Sequence, residues 1–138
     1  MNVIKNLIKS GIVSSVNETS GSVRVIFTDQ DDLVSDELPV LSLHGGWSSG
    51  AALPAPGERV LCVFPGNGRS TGYCLGTFYT KDKMPPGNSD QRGTWFEDGS
   101  YVYYDRSSSV LQVKANGRVR IEGDLEVTGS ITRGGTVL

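Results

Sequence analysis

The sequence predicts an all-β chain in which an OB-type barrel precedes a short C-terminal strand ladder. Three observations predict it. Apolar residues alternate through the last stretch, at Leu111 and Val113, Val119 and Ile121, Leu125 and Val127, then Ile131. That period sends successive side chains to opposite faces of a strand. Turn-formers interrupt the run at Asn116-Gly117, Gly123-Asp124 and Gly129-Ser130, so each strand is short, about five residues. Eighteen glycines and six prolines, with 37% hydrophobic residues, favour turn-rich β-structure over helix. One copy of such a ladder cannot bury its own apolar stripe, whereas strands stacked from several copies do. The C-terminal part therefore reads as a segment of a rigid multi-chain β-rod, which points to a mechanical or architectural role.

The elements follow in order. Residues 1–10 read as a short amphipathic helix, with Val3, Ile4, Leu7 and Ile8 at helical spacing, Asn2 as its cap and Gly11 just past its end. So short a helix must dock on something. Residues 11–80 read as the barrel. GIVSSVN and SVRVIFT make a hairpin across ETSG, with Val23, Val25 and Phe27 on one face and Arg24 and Ile26 on the other. An acid-rich stretch precedes the apolar run at LPVL. SLHGGWSSGAALPAPGE is a long Gly/Ser/Pro loop, and RVLCVF and GYCLGTF are strands. Five short strands with one long excursion fit a small, closed or nearly closed barrel. Residues 81–93 read as a linker. Residues 94–138 form the spike, opening on aromatic-rich strands joined by the Asp98-Gly99 turn.

At 138 residues the chain holds one domain, or a small domain with an appendage. A single copy has a modest core, for which oligomerisation is a common remedy. The net charge of −2 lacks the basic footprint of a nucleic-acid-binding domain. The N-terminus has no apolar core or cleavage site of a signal peptide, and no run approaches the ~18 apolar residues of a membrane span. The expectation is a soluble protein assembled in the cytosol.

Chemistry-bearing residues are sparse. His44 is the single histidine, in a loop, with no second base or nucleophile beside it in sequence. Metalloprotease, nucleophile-elbow and Walker signatures are missing. Gly66-Asn67-Gly68 reads as a hairpin turn, having no helix after it to bind phosphate. Asp29, Asp31, Asp32, Asp36 and Glu37 depart from calcium-loop spacing and read as a solvated acidic loop. Cys62 and Cys74 sit in apolar strand-like runs. They read as small buried hydrophobes, with a cross-strand disulfide as the sharper alternative; their spacing is not that of a metal site. Trp47, Phe64, Tyr73, Phe78 and Tyr79 supply rings for a single-strand-binding barrel, but the matching Lys and Arg residues are few. Trp95, Phe96, Tyr101, Tyr103 and Tyr104 read as packing at the neck of the rod. No catalytic residue, cofactor or metal is expected.

The order of these pieces resembles the baseplate assembly protein V family, the central spike of contractile phage tails. It is similar in plan to the spikes of tailocins and type VI secretion systems. The most specific pieces are LPxxGExV at 53–60, GYxLG at 72–76 and DGSxxxYD at 98–105, and the resemblance covers roughly residues 11–132. It implies a homotrimer: a collar of OB-type domains that plugs the tail hub, and C-terminal strands wound into a three-chain β-helix aimed at the host cell. Leu111, Val113, Val119, Ile121, Leu125, Val127 and Ile131 would then face the trimer axis. Val3, Ile4, Leu7, Ile8 and Trp47 would contact the tail hub protein or a neighbouring subunit. The family's metal-bearing apex uses paired histidines. This sequence has no His-x-His and no histidine after His44, so no iron apex is expected. Thr136, Val137 and Leu138 would instead meet a separate small tip protein. The implied function is a non-enzymatic structural one in the virion tail baseplate, assembled in the host cytoplasm and touching the host envelope transiently. The rival is an OB-type module for single-stranded nucleic acid or a glycan, with the ladder as a trimerising stalk.

Overall fold

The computed structural model describes residues 7–65 and 71–138. The chain is all-β and divides into two compact units, Met1–Met84 and Pro85–Leu138. The boundary lies inside the expected 81–93 linker.

The first unit is built on a six-stranded sheet. Strand β1 (Ile8–Asn17) is ten residues long and serves two neighbours. Its first half pairs with β5 (Arg59–Val63), from Ile8 opposite Val63 to Ile12 opposite Arg59. Its second half pairs with β2 (Ser22–Phe27), and a register shift between Val13 and Ser15 marks a bulge. Bulges bend and twist a strand, which lets one strand turn from one partner to the other. The β1–β2 turn is fastened by Asn17, whose Oδ1 accepts from the backbone N–H groups of Thr19 and Ser20 at 3.1 and 3.3 Å. After a short 3-10 turn at Thr28–Gln30 come β3 (Leu33–Val34) and β4 (Leu38–Pro39), both on β2. Strand β6 (Tyr73–Thr77) then pairs with β5. The order is β3-β2-β1-β5-β6, and strand pairing does not close it into a ring. One isolated parallel bridge, Val40 to Cys74, brings the exit of β4 beside β6.

Alternation decides what this unit buries. Val23, Val25 and Phe27 are inside and Arg24 outside, as the hairpin pattern predicts. They join Val13, Leu38, Val60, Cys62, Phe64 and Cys74 in one apolar cluster, with Phe27 edge-on to Phe64 at 5.7 Å. The expected helix over 1–10 needs correction from Ile8 onward, while Leu7 is helical. Ile8 and Lys9 belong to β1, with Ile8 outside and Lys9 buried, its Nζ over the Phe27 and Phe64 rings at 4.9 and 4.7 Å. Residues 1–6 lie outside the described residues. Gly11 is no helix terminus. It sits in β1 where an added Cβ would lie 2.5 Å from Val25 Cγ1 and 2.6 Å from the Ile26 carbonyl oxygen. The long-range partners Val63 and Phe64 win over the local helical period, as tertiary pairing commonly does.

The second unit opens on a three-stranded meander: β7 (Gln91–Trp95), β8 (Tyr101–Asp105) and β9 (Val110–Lys114). β7 starts inside the stretch expected to be linker. Trp95 stacks on Tyr103 at 4.9 Å, and Tyr101 meets Tyr103 edge-on at 5.0 Å. Gly93 lies opposite Tyr103, so close to its backbone that no Cβ fits.

Beyond Lys114 the expected ladder does not form within the chain. Among the described residues no strand lies between β9 and β10 (Thr132–Arg133). The last residues, expected to meet a tip protein, form a small element of their own. β10 pairs with β11 (Thr136–Val137) in a two-residue hairpin, and Leu138 N–H donates to the Ile131 carbonyl at 2.8 Å. Gly134 and Gly135, at φ 56° and 87°, are both left-handed, as this tight turn requires.

Candidate functional site

In the second unit, the pairing register sorts the meander into two unlike faces. One carries Gln91, Trp95, Tyr101, Tyr103, Asp105 and Gln112. These are half-buried against one another. Asp105 anchors this face: one carboxylate oxygen accepts from Ser107 N–H and Oγ, the other from Gln91 Nε2. The Ser107 hydroxyl, then Gln91, hold its pKa below the ordinary carboxylate range. Asp98 shapes the β7–β8 turn by accepting from Ser100 N–H at 2.9 Å, which likewise lowers its pKa. Asn116 ties the chain after β9 to that turn, donating to the Asp98 carbonyl.

The other face carries Arg92 and Thr94 beside an exposed apolar set. Val102 sits opposite Val113 and Tyr104 opposite Leu111, and all four are exposed. Cross-strand pairs of this kind are where a sheet gains its packing energy, yet nothing in the unit lies over them. The apolar set continues past the meander. Val119, Ile121, Leu125, Val127 and Ile131 are all exposed, Leu125 at 67%. Among the described residues their backbones have no strand partner. A run of alternating apolar side chains outside any strand pairing is a template for pairing with another chain. The structure thus places all seven expected axis residues at solvent and gathers Leu111 and Val113 with Val102 and Tyr104. The sequence reading missed the last two as part of this face, although strict alternation of Val102 and Tyr104 with Tyr101 and Tyr103 is the signal that finds them.

In the first unit the exposed feature is the loop from 41 to 53. Leu43 and Trp47 are fully exposed, at 101% and 99%. His44 is exposed in the same loop; its imidazole packs on Gly50 and its backbone N–H donates to Ser42 Oγ at 3.1 Å. Of the other expected hub contacts, Val3 and Ile4 lie outside the described residues, as does Gly66-Asn67-Gly68. Leu7 is half-buried, and its carbonyl accepts from Phe64 N–H at 2.7 Å. At the chain's end, Val137 and Leu138 are exposed on the terminal hairpin.

The family-like motif LPxxGExV has a structural job. Glu58 Oε1 accepts from Ala55 N–H at 2.8 Å and Oε2 pairs with Lys83 Nζ at 2.5 Å, and these contacts depress its pKa, the Ala55 bond most. Gly57 N–H donates to the Val13 carbonyl and Val13 N–H to that of Glu58, both at 2.9 Å, so the turn is stitched to β1. A shallow hollow of about 310 Å³ lies here, between Ile12, Arg59, Phe78, Thr80 and Asp82, with the Glu58–Lys83 pair in its wall. It holds no nucleophile with a base beside it. Among the described residues, no group of three or more His, Cys, Asp or Glu side chains is placed to hold a metal. Phe64, considered as a stacking ring, is a core residue, while Tyr73, Phe78 and Tyr79 are exposed.

A scan of family models and a search of curated proteins each find no match to this chain.

Proposed function

We propose that this protein is the trimeric central spike of a contractile tail baseplate, phage or phage-like, with a structural and not an enzymatic role. The observation that carries the reading is the C-terminal run itself. Residues 116–131 are exposed, form no strand pairing among the described residues, and carry on the alternating apolar pattern of the meander. Three copies wound together satisfy both needs at once: backbone groups pair between chains, and the seven axis residues pack down one line. Burying each Val, Leu or Ile contributes about 1.5–3 kcal/mol, a large sum for a chain whose own core is small.

In this reading the first unit is an OB-type collar domain. The bent β1 shared by β2 and β5, and the Val40–Cys74 bridge, support that assignment. The collar plugs the tail hub, with Leu43 and Trp47 offered to the hub or to a neighbouring subunit. The second unit is the rod that transmits force to the host envelope, and the terminal hairpin seats a small tip protein. The motif order at 53–60, 72–76 and 98–105, similar to that of the baseplate assembly protein V family, supports the placement in a tail.

Light scattering on the full chain after gel filtration tests the core of the proposal. The expected mass is three chains at micromolar concentration, unchanged by salt. A monomer under those conditions overturns it.

A further inference from the structure

We propose that Cys62 and Cys74 are a redox pair that closes to a disulfide inside the core of the first unit when the chain meets a peroxide. The geometry is set by strand register. Cys62 on β5 lies directly opposite Cys74 on β6, and both side chains are fully buried in the same apolar cluster. Directly opposed residues of antiparallel strands have Cα atoms about 4.5–5.5 Å apart. That falls within the roughly 4.4–6.8 Å span of natural disulfides. Residues that share a face also aim their Cβ atoms the same way. Both cysteines are thiols in this structure, hydrogen-bonded to each other.

The pair is asymmetric. The Cys62 thiol donates to Cys74, and the Gly76 backbone also hydrogen-bonds the Cys74 sulfur; both favour the thiolate at Cys74 and leave Cys62 holding its proton. Lys9, opposite Cys62 on β1, pulls the other way by favouring a thiolate at Cys62, but it is the smallest of the influences on that thiol. Cys74 is therefore the attacking sulfur. Its thiolate attacks one oxygen of the peroxide, the O–O bond breaks, and the leaving hydroxide takes a proton to become water. Cys74 is then a sulfenic acid. The Cys62 sulfur displaces that hydroxyl as a second water, giving the S–S bond. Two thiols and one hydrogen peroxide become one disulfide and two waters, and the two electrons reduce the peroxide.

Access comes from β6, a five-residue strand held on its far side by the Val40 bridge and by Leu41 N–H donating to the Cys74 carbonyl at 3.0 Å. Local opening of such a strand costs less than global unfolding, and hydrogen peroxide is near water in size. The bond would staple β5 to β6 across residues twelve positions apart. None of this depends on the spike reading, and the oligomer mass tests that reading separately.

The purified full chain is treated with hydrogen peroxide, denatured, alkylated and weighed intact. The expected product has lost two hydrogens, takes up no alkylating agent, stays a single chain on a non-reducing gel and regains two alkylatable thiols with dithiothreitol. Its thermal midpoint lies above that of the reduced form. Cys62→Ser should leave a Cys74 sulfenic acid that dimedone traps; Cys74→Ser should leave Cys62 alkylatable. Retention of two alkylatable thiols, addition of oxygen without loss of hydrogens, or linkage between chains would each overturn the proposal. The wild-type measurement decides it even where a serine variant folds poorly. Equal dimedone labelling of the two single variants would overturn the assignment of Cys74 as the attacking sulfur.

Discussion

Single residues carry constraints that composition hides. Gly11 is the sharpest. A methyl there meets Val25 Cγ1 at 2.5 Å and the Ile26 carbonyl oxygen at 2.6 Å, in the middle of the β1–β2 pairing. Neither a backbone oxygen nor a core valine yields readily. Gly11→Ala is expected to destabilise the first unit by about 1–3 kcal/mol, the usual cost of overpacking, read as a lower urea midpoint at unchanged slope. The carboxylates set a second expectation. Glu58, Asp98 and Asp105 all have pKa values lowered by hydrogen bonds made only in the fold. A carboxyl with a lowered native pKa stabilises the fold above its unfolded value, about 4, and loses that as pH falls through the native value. The thermal midpoint should be flat from about pH 7 to 5 and fall below about pH 4. Asp105→Asn should be less stable than wild type at neutral pH, with the gap narrowing in acid as the wild-type carboxylate protonates. A constant gap would show that Asp105 contributes packing and not charge.

At the scale of the element, what the sequence revealed depended on where each strand finds its partner. The β1–β2 hairpin was legible because its pattern, turn and partner are adjacent in sequence. The β7–β8 hairpin was legible through Asp98-Gly99. Strand character at Ile8 and Lys9 was not, because VIKNLIK satisfies a helical period locally and its strand partners Val63 and Cys62 lie more than fifty residues away. β3 was hidden by the acids around Leu33 and Val34. The β10–β11 hairpin is signalled by Gly134-Gly135, a dipeptide suited to a tight hairpin turn, but Thr136-Val137-Leu138 is too short an apolar run to read as a strand. The run 116–131 is the opposite case: its alternation was plain, and it has no strand pairing among the described residues. That contrast makes the register testable. Ile121 belongs to the apolar set, while Arg120 pairs with Glu122 at 3.1 Å with both side chains at solvent. Ile121→Asp brings three like charges together in the proposed trimer and should abolish it or cause aggregation. Arg120→Asp should leave the mass at three chains. The same mass for both variants would mean that the axis-facing row is misassigned.

For the whole molecule, the division into two units predicts a division of labour. Among the described residues, every buried one, including the apolar cluster from Val13 to Cys74, lies in the first unit. The second has two faces of side chains on one sheet, one of them exposed, and a long exposed run with no strand pairing among the described residues. A unit this small with no buried residue of its own is marginal alone, so the second unit should hold its structure only through other copies. Cutting the chain after Met84 should therefore separate the two properties. The fragment 1–84 should keep cooperative unfolding and its β-type circular dichroism while running as a monomer or a weak associate. The fragment 85–138 should form trimers at high concentration and lose strand signal on dilution, because its fold and its assembly are one equilibrium. Within the full chain, Leu43→Ser with Trp47→Ser should weaken binding to a hub protein or between collars, with no loss of trimer mass, since the loop at 41–53 belongs to the first unit. A fragment 1–84 that trimerises as tightly as the full chain would transfer the oligomer interface to the collar. The exposed row from Leu111 to Ile131 would then need another partner.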